Sequence, residues 1–483
     1  MMNPGLNHYM FLIFYVEGVI KNMGQKMNLR ILVYLNPSNI DKVTHEFNLE
    51  GDSGFIMVKN TIMALNRIQD WHFYLLVPNV HYWIDRPRNV TLIEYPYIND
   101  ALNSRFHFDT NAINKYFNVY KHDIDLIWSM LPELVSNLKA FANKRREEIP
   151  IFTYINWMDW RKNTHYQPGY ALRMYEGILE ADMVGIQSKH MANEMKKILN
   201  GFTLPENKIH IIPPKTEYPH QDQINIGDLI GFPHRISVES GFKEMYPLIK
   251  DKLKYKLWVT NLNNTPFDSD EMVINKFYPT RDEYIKELNN LRFGISYHIR
   301  YSMWSMSVLD MMAQGKCVLV PNKNAFPEMF GDEYPFYFNN KKEFVEKFEL
   351  LQDIDETRLL AWGHTLKARV RGIYSWNTHA KQISELFINS ISTRKSKRSK
   401  EIASIIKRYN AITKGDLINK GLTVFGRRCS RAWNKCRIDL MANYGIKDDM
   451  NNEHTIFYCD KDRYMNNGIE KRGGQERQLT IYE

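Results

Sequence analysis

"GDLIGFPHRISVESGFKEMYPLIKDKL", residues 227–253, places a strand pattern directly before a helix pattern. "LIGF" is a short continuous apolar run, as expected of a strand covered on both faces. From Gly241 onward the apolar residues recur at helical spacing. The turn between them holds Arg235 and Gly241, and Lys243 falls in the first helical turn. Amides at a helix start, with a cation or two beside them, form a seat for a diphosphate. The same residues also describe a basic side chain in an ordinary surface turn, so the surroundings decide between the two.

Working outward, the strand and helix alternation continues in both directions. Upstream, "RILVYL", "WHFYLLVP", "VTLIEYP", "IDLIWSM", "PIFTYINW" and "ADMVGIQS" read as buried strands, with amphipathic stretches such as "GFIMVKNTIMALNRI" and "LPELVSNLKAFANKRREE" between them. Downstream, "KLKYKLWVTN", "LRFGISYH", "GKCVLVPN" and "YPFYFNN" repeat the theme. Such alternation implies parallel sheets with helices on both faces. The pattern restarts near residues 215–225, which predicts an α/β chain of two doubly wound, Rossmann-like domains facing a cleft. Ligands of such sheets bind beyond the carboxyl ends of the strands. The expected boundaries are an extension at 1–26, a first domain at 27–220, a second at 221–392 and a tail at 393–483.

Length and composition agree. The chain has 483 residues, 44% of them apolar and 13% aromatic, which is enough for more than one core and excludes a disordered protein. Four cysteines do not make a disulfide framework, and a reducing, cytoplasmic setting follows. Residues 9–20, "YMFLIFYVEGVI", are too short for a membrane span and contain Glu17. The net charge of +9 arises entirely from Thr393 onward, where 20 Lys and Arg face 11 Asp and Glu; the first 392 residues hold 44 of each sign. Body and tail are therefore different modules.

A second stretch adds chemistry. "SMWSMSVLDMMAQGKCVLVPNKNAFPEMFG", residues 302–331, reads as loop, helix, glycine turn, buried strand and a loop with Pro327-Glu328. Asp310 sits on that helix among apolar neighbours, where a carboxylate needs a partner such as ribose hydroxyls. Gly315 lets the helix end close to the following strand. Taken with Arg235, this stretch resembles the donor-binding half of the retaining GT-B glycosyltransferases, whose pattern runs Gly-Arg-x4-Lys-Gly, Glu-x7-Glu, then Ala-x-Gly-x-Pro-Val. Arg235, Asp310, Ala313 and Gly315 match it. "GDSGF" at 51–55, with Gly54, resembles the family's glycine loop, and "ADMVGIQSKHMANEM" its Ala-Asp, strand, Ser segment. The chain departs in three ways: Ser240 stands for the phosphate-binding Lys, Ser302 for the first Glu, and Lys316-Cys317 replaces the proline turn. The resemblance spans residues 27–392 and implies a nucleotide-sugar donor, a UDP-sugar, with no metal required. His298 and Arg300, at the end of "GISYHIR", are candidate phosphate contacts. Asp159 and His165, in the loop after "PIFTYINW", are candidate acceptor-side catalytic groups.

In the tail, Cys429, Trp433, Cys436 and Leu440 form an apolar stripe, with Arg428, Arg431 and Lys435 on the other face. Two helices about Gly421, the second basic, suggest a small, mainly helical, helix-turn-helix-like module for nucleic acid, to which "HTIFYCDKDRY" would add a wing. Cys429 and Cys436 lie about 10 Å apart on one helix, too far for a shared zinc. The "R-x5-GF-x2-M" run resembles that of phage DNA glucosyltransferases. The leading expectation is a glycosyltransferase acting on a modified base in phage-type DNA, placed in host cytoplasm if viral. Two alternatives stand beside it. One is a transferase for a lipid-linked or surface glycan with a membrane-binding tail. The other is a non-catalytic nucleic-acid-binding protein on a transferase scaffold.

Overall fold

The computed structural model describes residues 28–35, 53–78, 83, 86–95, 124–143, 149–155, 168–198, 206–216, 223–234, 236, 240–260, 270–278, 280–298, 304–409, 411–413, 447–449 and 456–458. The first unit runs β1 (Arg30–Tyr34), α1 (Ser53–Leu65), β2 (His72–Pro78), β3 (Val90–Tyr95), β4 (Leu126–Ser129), α2 (Val135–Asn143), β5 (Ile151–Ile155), α3 (Pro168–Glu180), β6 (Met183–Ile186), α4 (Lys189–Ile198) and β7 (Ile209–Ile211). Its seven strands lie in the order β3-β2-β1-β4-β5-β6-β7, every pair parallel. β4 and β5 are buried along their whole length, as the apolar runs require.

The second unit contains β8 (Leu229–Phe232), α5 (Phe242–Ile249), β9 (Lys256–Val259), β10 (Val273–Asn275), α6 (Arg281–Asn289), β11 (Leu291–Ile295), α7 (Met306–Ala313), β12 (Val318–Pro321), α8 (Phe326–Phe330), β13 (Tyr337–Phe338), α9 (Lys341–Asp353) and α10 (Glu356–Ile373). Its sheet runs β10-β9-β8-β11-β12-β13, again all parallel. The two doubly wound sheets expected from the sequence are therefore present. The strands that the pattern missed, β7 and β10, are three residues each and sit at sheet edges.

α11 (Trp376–Tyr409) runs across the boundary expected at residue 392. Its first half packs on the first sheet: Phe387 lies against Trp71, Trp128 and Phe152, with ring centroids 5.2–6.2 Å apart. Ala380, Ile383 and Ile391 join the same core. The helix also continues through "STRKSKRSK", where the sequence pattern suggests a linker. Lys and Arg are good helix formers and no Gly or Pro intervenes, so a polar segment extends a helix already nucleated by packing. Beyond it, β14 (Ala411–Thr413), β15 (Lys447–Asp449) and β16 (Ile456–Tyr458) form an antiparallel sheet in the order β14-β16-β15. β16 falls in the expected wing. β14 occupies residues expected to start a helix. The proposed helix pair, with Arg428, Arg431 and Lys435, lies outside the described residues, as do residues 1–26. No described helix is long and apolar enough to cross a membrane.

Lys316 explains one departure from the family pattern. It is fully buried, and its ammonium donates to the carbonyls of Asn225, Asn289 (2.9 Å) and Leu291 (2.9 Å), tying together the amino edges of β8 and β11. Burial pushes its pKa down to about 7, while the three carbonyls favour the charged form.

Candidate functional site

In the second sheet the strand order reverses between β8 and β11, and a doubly wound sheet opens its ligand crevice at the carboxyl ends there. Two histidines stand at this point. His234 follows β8 and His298 follows β11, with their rings edge to face at 4.7 Å. Ser307 pairs with Nδ1 of His234 at 2.8 Å, and Ser296 with Nδ1 of His298 at 2.8 Å. Burial first, then the neighbouring His298, push the His234 pKa well below the ordinary value, against a hydrogen bond with the Ile295 carbonyl. His234 is therefore a neutral imidazole at neutral pH.

Beside this pair begins α5. Its N-cap, Gly241, has φ 70°, and a Cβ there would lie 2.7 Å from the Tyr297 carbonyl oxygen, so only glycine fits. Ser240 is buried and Lys243 is exposed in the first turn. The first-turn amides of α5 and the positive end of its dipole thus lie at the switch point. Arg235 and Arg300 flank the histidines in sequence and lie outside the described residues.

Asp310 behaves differently from the simple expectation. It is 2% exposed, and both carboxylate oxygens are engaged. Arg281 donates to them from Nη1 (2.7 Å) and Nη2 (2.6 Å), and Thr216 donates from its hydroxyl (2.6 Å). The buried carboxylate has the partner it needs, and the structure supplies it from the protein. Thr216 lies where the chain crosses between the units, and it bridges to Ser375 on the return crossing. Ribose hydroxyls would have to compete with a bidentate guanidinium.

The sequence pattern does not reveal Arg281 and Thr216 as partners of Asp310, nor Glu328 as the partner of the Lys189 and His190 amides. Arg281 follows the N-cap Thr280, whose side chain accepts from the Glu283 amide, a capping box legible in "TRDE". That signal marks the helix start, whereas the pairing with Asp310 spans 29 residues and leaves no local trace. Gly54 lies in the first turn of α1, half-buried, after the carboxyl end of β1. Gly315, at φ 71°, ends α7 as expected. Asp159 and His165 lie outside the described residues. Among the described residues no group of His, Cys, Asp and Glu converges as a metal site.

No family model matches the chain, and no curated protein matches it in sequence. Solved structures share its architecture. Sucrose-phosphate synthase from Thermosynechococcus elongatus matches with a TM-score of 0.60 at 13% identity, over 76% of this chain and 100% of that one. HepE from Anabaena, in complex with UDP and glucose, gives 0.54 at 12% identity, over 74% and 99%. A glycosyltransferase from Rickettsia africae gives 0.51 at 12% identity, over 75% and 99%. At these identities the likeness is one of fold: this chain has the two-sheet GT-B architecture.

Proposed function

We propose that this chain is a glycosyltransferase that takes its sugar from a nucleotide-sugar donor, a UDP-sugar, bound at the carboxyl edge of the second sheet. One observation carries the reading. The strand-order reversal brings His234, His298 and the glycine-turned start of α5 to one place, and these groups suit a diphosphate. The fold shared with a HepE complex containing UDP and glucose supports the same donor class.

In the proposed reaction the bond from the anomeric carbon to the diphosphate oxygen breaks, and the nucleoside diphosphate leaves with the bonding electrons. An acceptor hydroxyl forms the new bond and loses its proton. Charge grows on the leaving phosphate, where the α5 amides, Arg235 and Lys243 would stabilise it. Neutral His234 packs against His298 there without attracting or repelling the charge. Asp310, held by Arg281 and Thr216, fixes that guanidinium at the neighbouring helix start. Asp159 and His165 are the proposed acceptor-side acid and base.

For the acceptor we propose nucleic acid, a modified base in duplex DNA, because the whole charge excess lies in the tail from Thr393 onward, interspersed with acids. A donor-hydrolysis screen over nucleotide sugars, with and without duplex DNA, tests both steps. Hydrolysis of one UDP-sugar, weakened roughly 10- to 100-fold in affinity by Arg235→Ala, supports the donor reading. Hydrolysis unaffected by DNA, with the protein sedimenting on anionic vesicles, favours a glycan acceptor at a membrane. DNA binding with no donor binding favours the non-catalytic reading.

A further inference from the structure

The loop after β12 connects the candidate donor site to the other unit. It begins at Asn322, passes through Asn324 at φ 60°, and enters α8. The Asn324 side chain donates to the His298 carbonyl at 3.0 Å, so one end of the loop is pinned to the switch-point histidine. At the other end, Arg369 (3.0 Å) and Tyr374 (2.9 Å) both donate to the Glu328 carbonyl, and Arg369 also donates to that of Met329 (2.7 Å). The backbone of Glu328 is thereby held from two sides while its side chain reaches out of the second unit.

That side chain ends on the first unit. Its two carboxylate oxygens accept from the backbone amides of Lys189 (2.8 Å) and His190 (2.5 Å), the first two residues of α4. The next amide, Met191, is taken by Ser188 Oγ at 3.0 Å. A carboxylate on a helix N-terminus gains charge-assisted hydrogen bonds and the favourable end of the dipole. α4 follows the carboxyl end of β6, and α8 follows that of β12. The contact therefore spans the two edges at which such sheets bind ligands.

We propose that Glu328 is a latch that holds the cleft between the two sheets closed and couples its closure to the loop pinned on His298. Releasing the carboxylate frees the α4 amides while the loop stays pinned within the second unit, so ligand entry and exit pass through latch opening. The latch stands on contacts within the protein; only the identity of what the cleft admits rests on the glycosyltransferase reading.

The test uses the full chain with Glu328→Gln and Glu328→Ala, by residue-resolved hydrogen exchange and small-angle scattering. Exchange at the Lys189 and His190 amides should quicken by roughly 10- to 100-fold, the worth of a charge-assisted bond. Protection at Met191 and at Val320, which bonds the Phe336 carbonyl, should not change. The radius of gyration should rise as the open form gains population. Unchanged exchange at 189 and 190 overturns the contact. Faster exchange with an unchanged radius overturns the latch, and loss of protection throughout β12 and β13 makes Glu328 a folding residue instead. UDP added to the wild type is a separate arm, whose failure to bind counts against the donor reading alone.

Discussion

Replacing Asp310 with Asn separates two roles for this carboxylate, protein fastener or ribose acceptor. The side chain is 2% exposed and receives three hydrogen bonds, two from the Arg281 guanidinium and one from Thr216. The amide keeps the shape but loses the charge, and its NH2 faces the guanidinium. Removing one partner of a fully buried ion pair costs about 3–5 kcal/mol. The Arg281 side chain is 30% exposed and regains some hydration, so about 2–3 kcal/mol is expected. For a unit of this size that lowers the thermal midpoint by about 4–12 °C. Scanning calorimetry on the wild type, Asp310→Asn, Arg281→Met and the double variant measures both the loss and the coupling. The two substitutions should be strongly non-additive, with an interaction of about 1–3 kcal/mol. Additive losses, or a midpoint within a degree of wild type together with lost nucleotide affinity, would refute the fastener and return Asp310 to the ribose.

Gly241→Ala forces a side chain into a left-handed turn against the Tyr297 carbonyl, at a cost of about 1–3 kcal/mol; nucleotide affinity measured by calorimetry should fall together with stability. Phe387→Ala opens a cavity among Trp71, Trp128 and Phe152 and should destabilise the first unit by about 3–5 kcal/mol in urea unfolding followed by tryptophan fluorescence. Lys215 is buried, and burial pushes its pKa from 10.5 down to about 8. Between pH 8 and 10.5 the unfolded chain binds the extra proton, so stability should rise with pH across that window, and Lys215→Met should flatten the rise. A chain ending at residue 392 keeps Phe387 and Ile391 in the first core, so it should retain nucleotide binding; loss of salt-sensitive DNA binding in a filter assay would locate that function in the tail.

The sheets were legible because each buried strand is a run of apolar residues that local spacing reveals. "LIWS" and "IFTYI" are buried at every position, as their composition implies. β7 and β10 escaped because three residues at an edge carry too little pattern. Gly241 could be singled out because a glycine between a strand pattern and a helix pattern marks a turn, whereas the Tyr297 carbonyl that bars a Cβ there is distant in sequence and left no trace. The Asp310 pairing and the Glu328 contact could not be read, since each joins residues 29 to 139 positions apart. The return of α11 to the first sheet is likewise invisible to periodicity. An amphipathic stripe shows that a face is covered and says nothing of which sheet covers it.

The proposed donor site at the carboxyl edge of the second sheet is tested most directly by a ligand footprint. Hydrogen exchange on the full chain, with and without saturating UDP-glucose, maps that footprint without requiring an acceptor. Protection confined to the turn before α5, the α5 first turn and Ser296–His298 is the predicted result, with calorimetric binding that Gly241→Ala weakens. Binding whose footprint lies elsewhere, or no binding of any nucleotide sugar in the screen, would contradict the claim that the second sheet's carboxyl edge is the donor site.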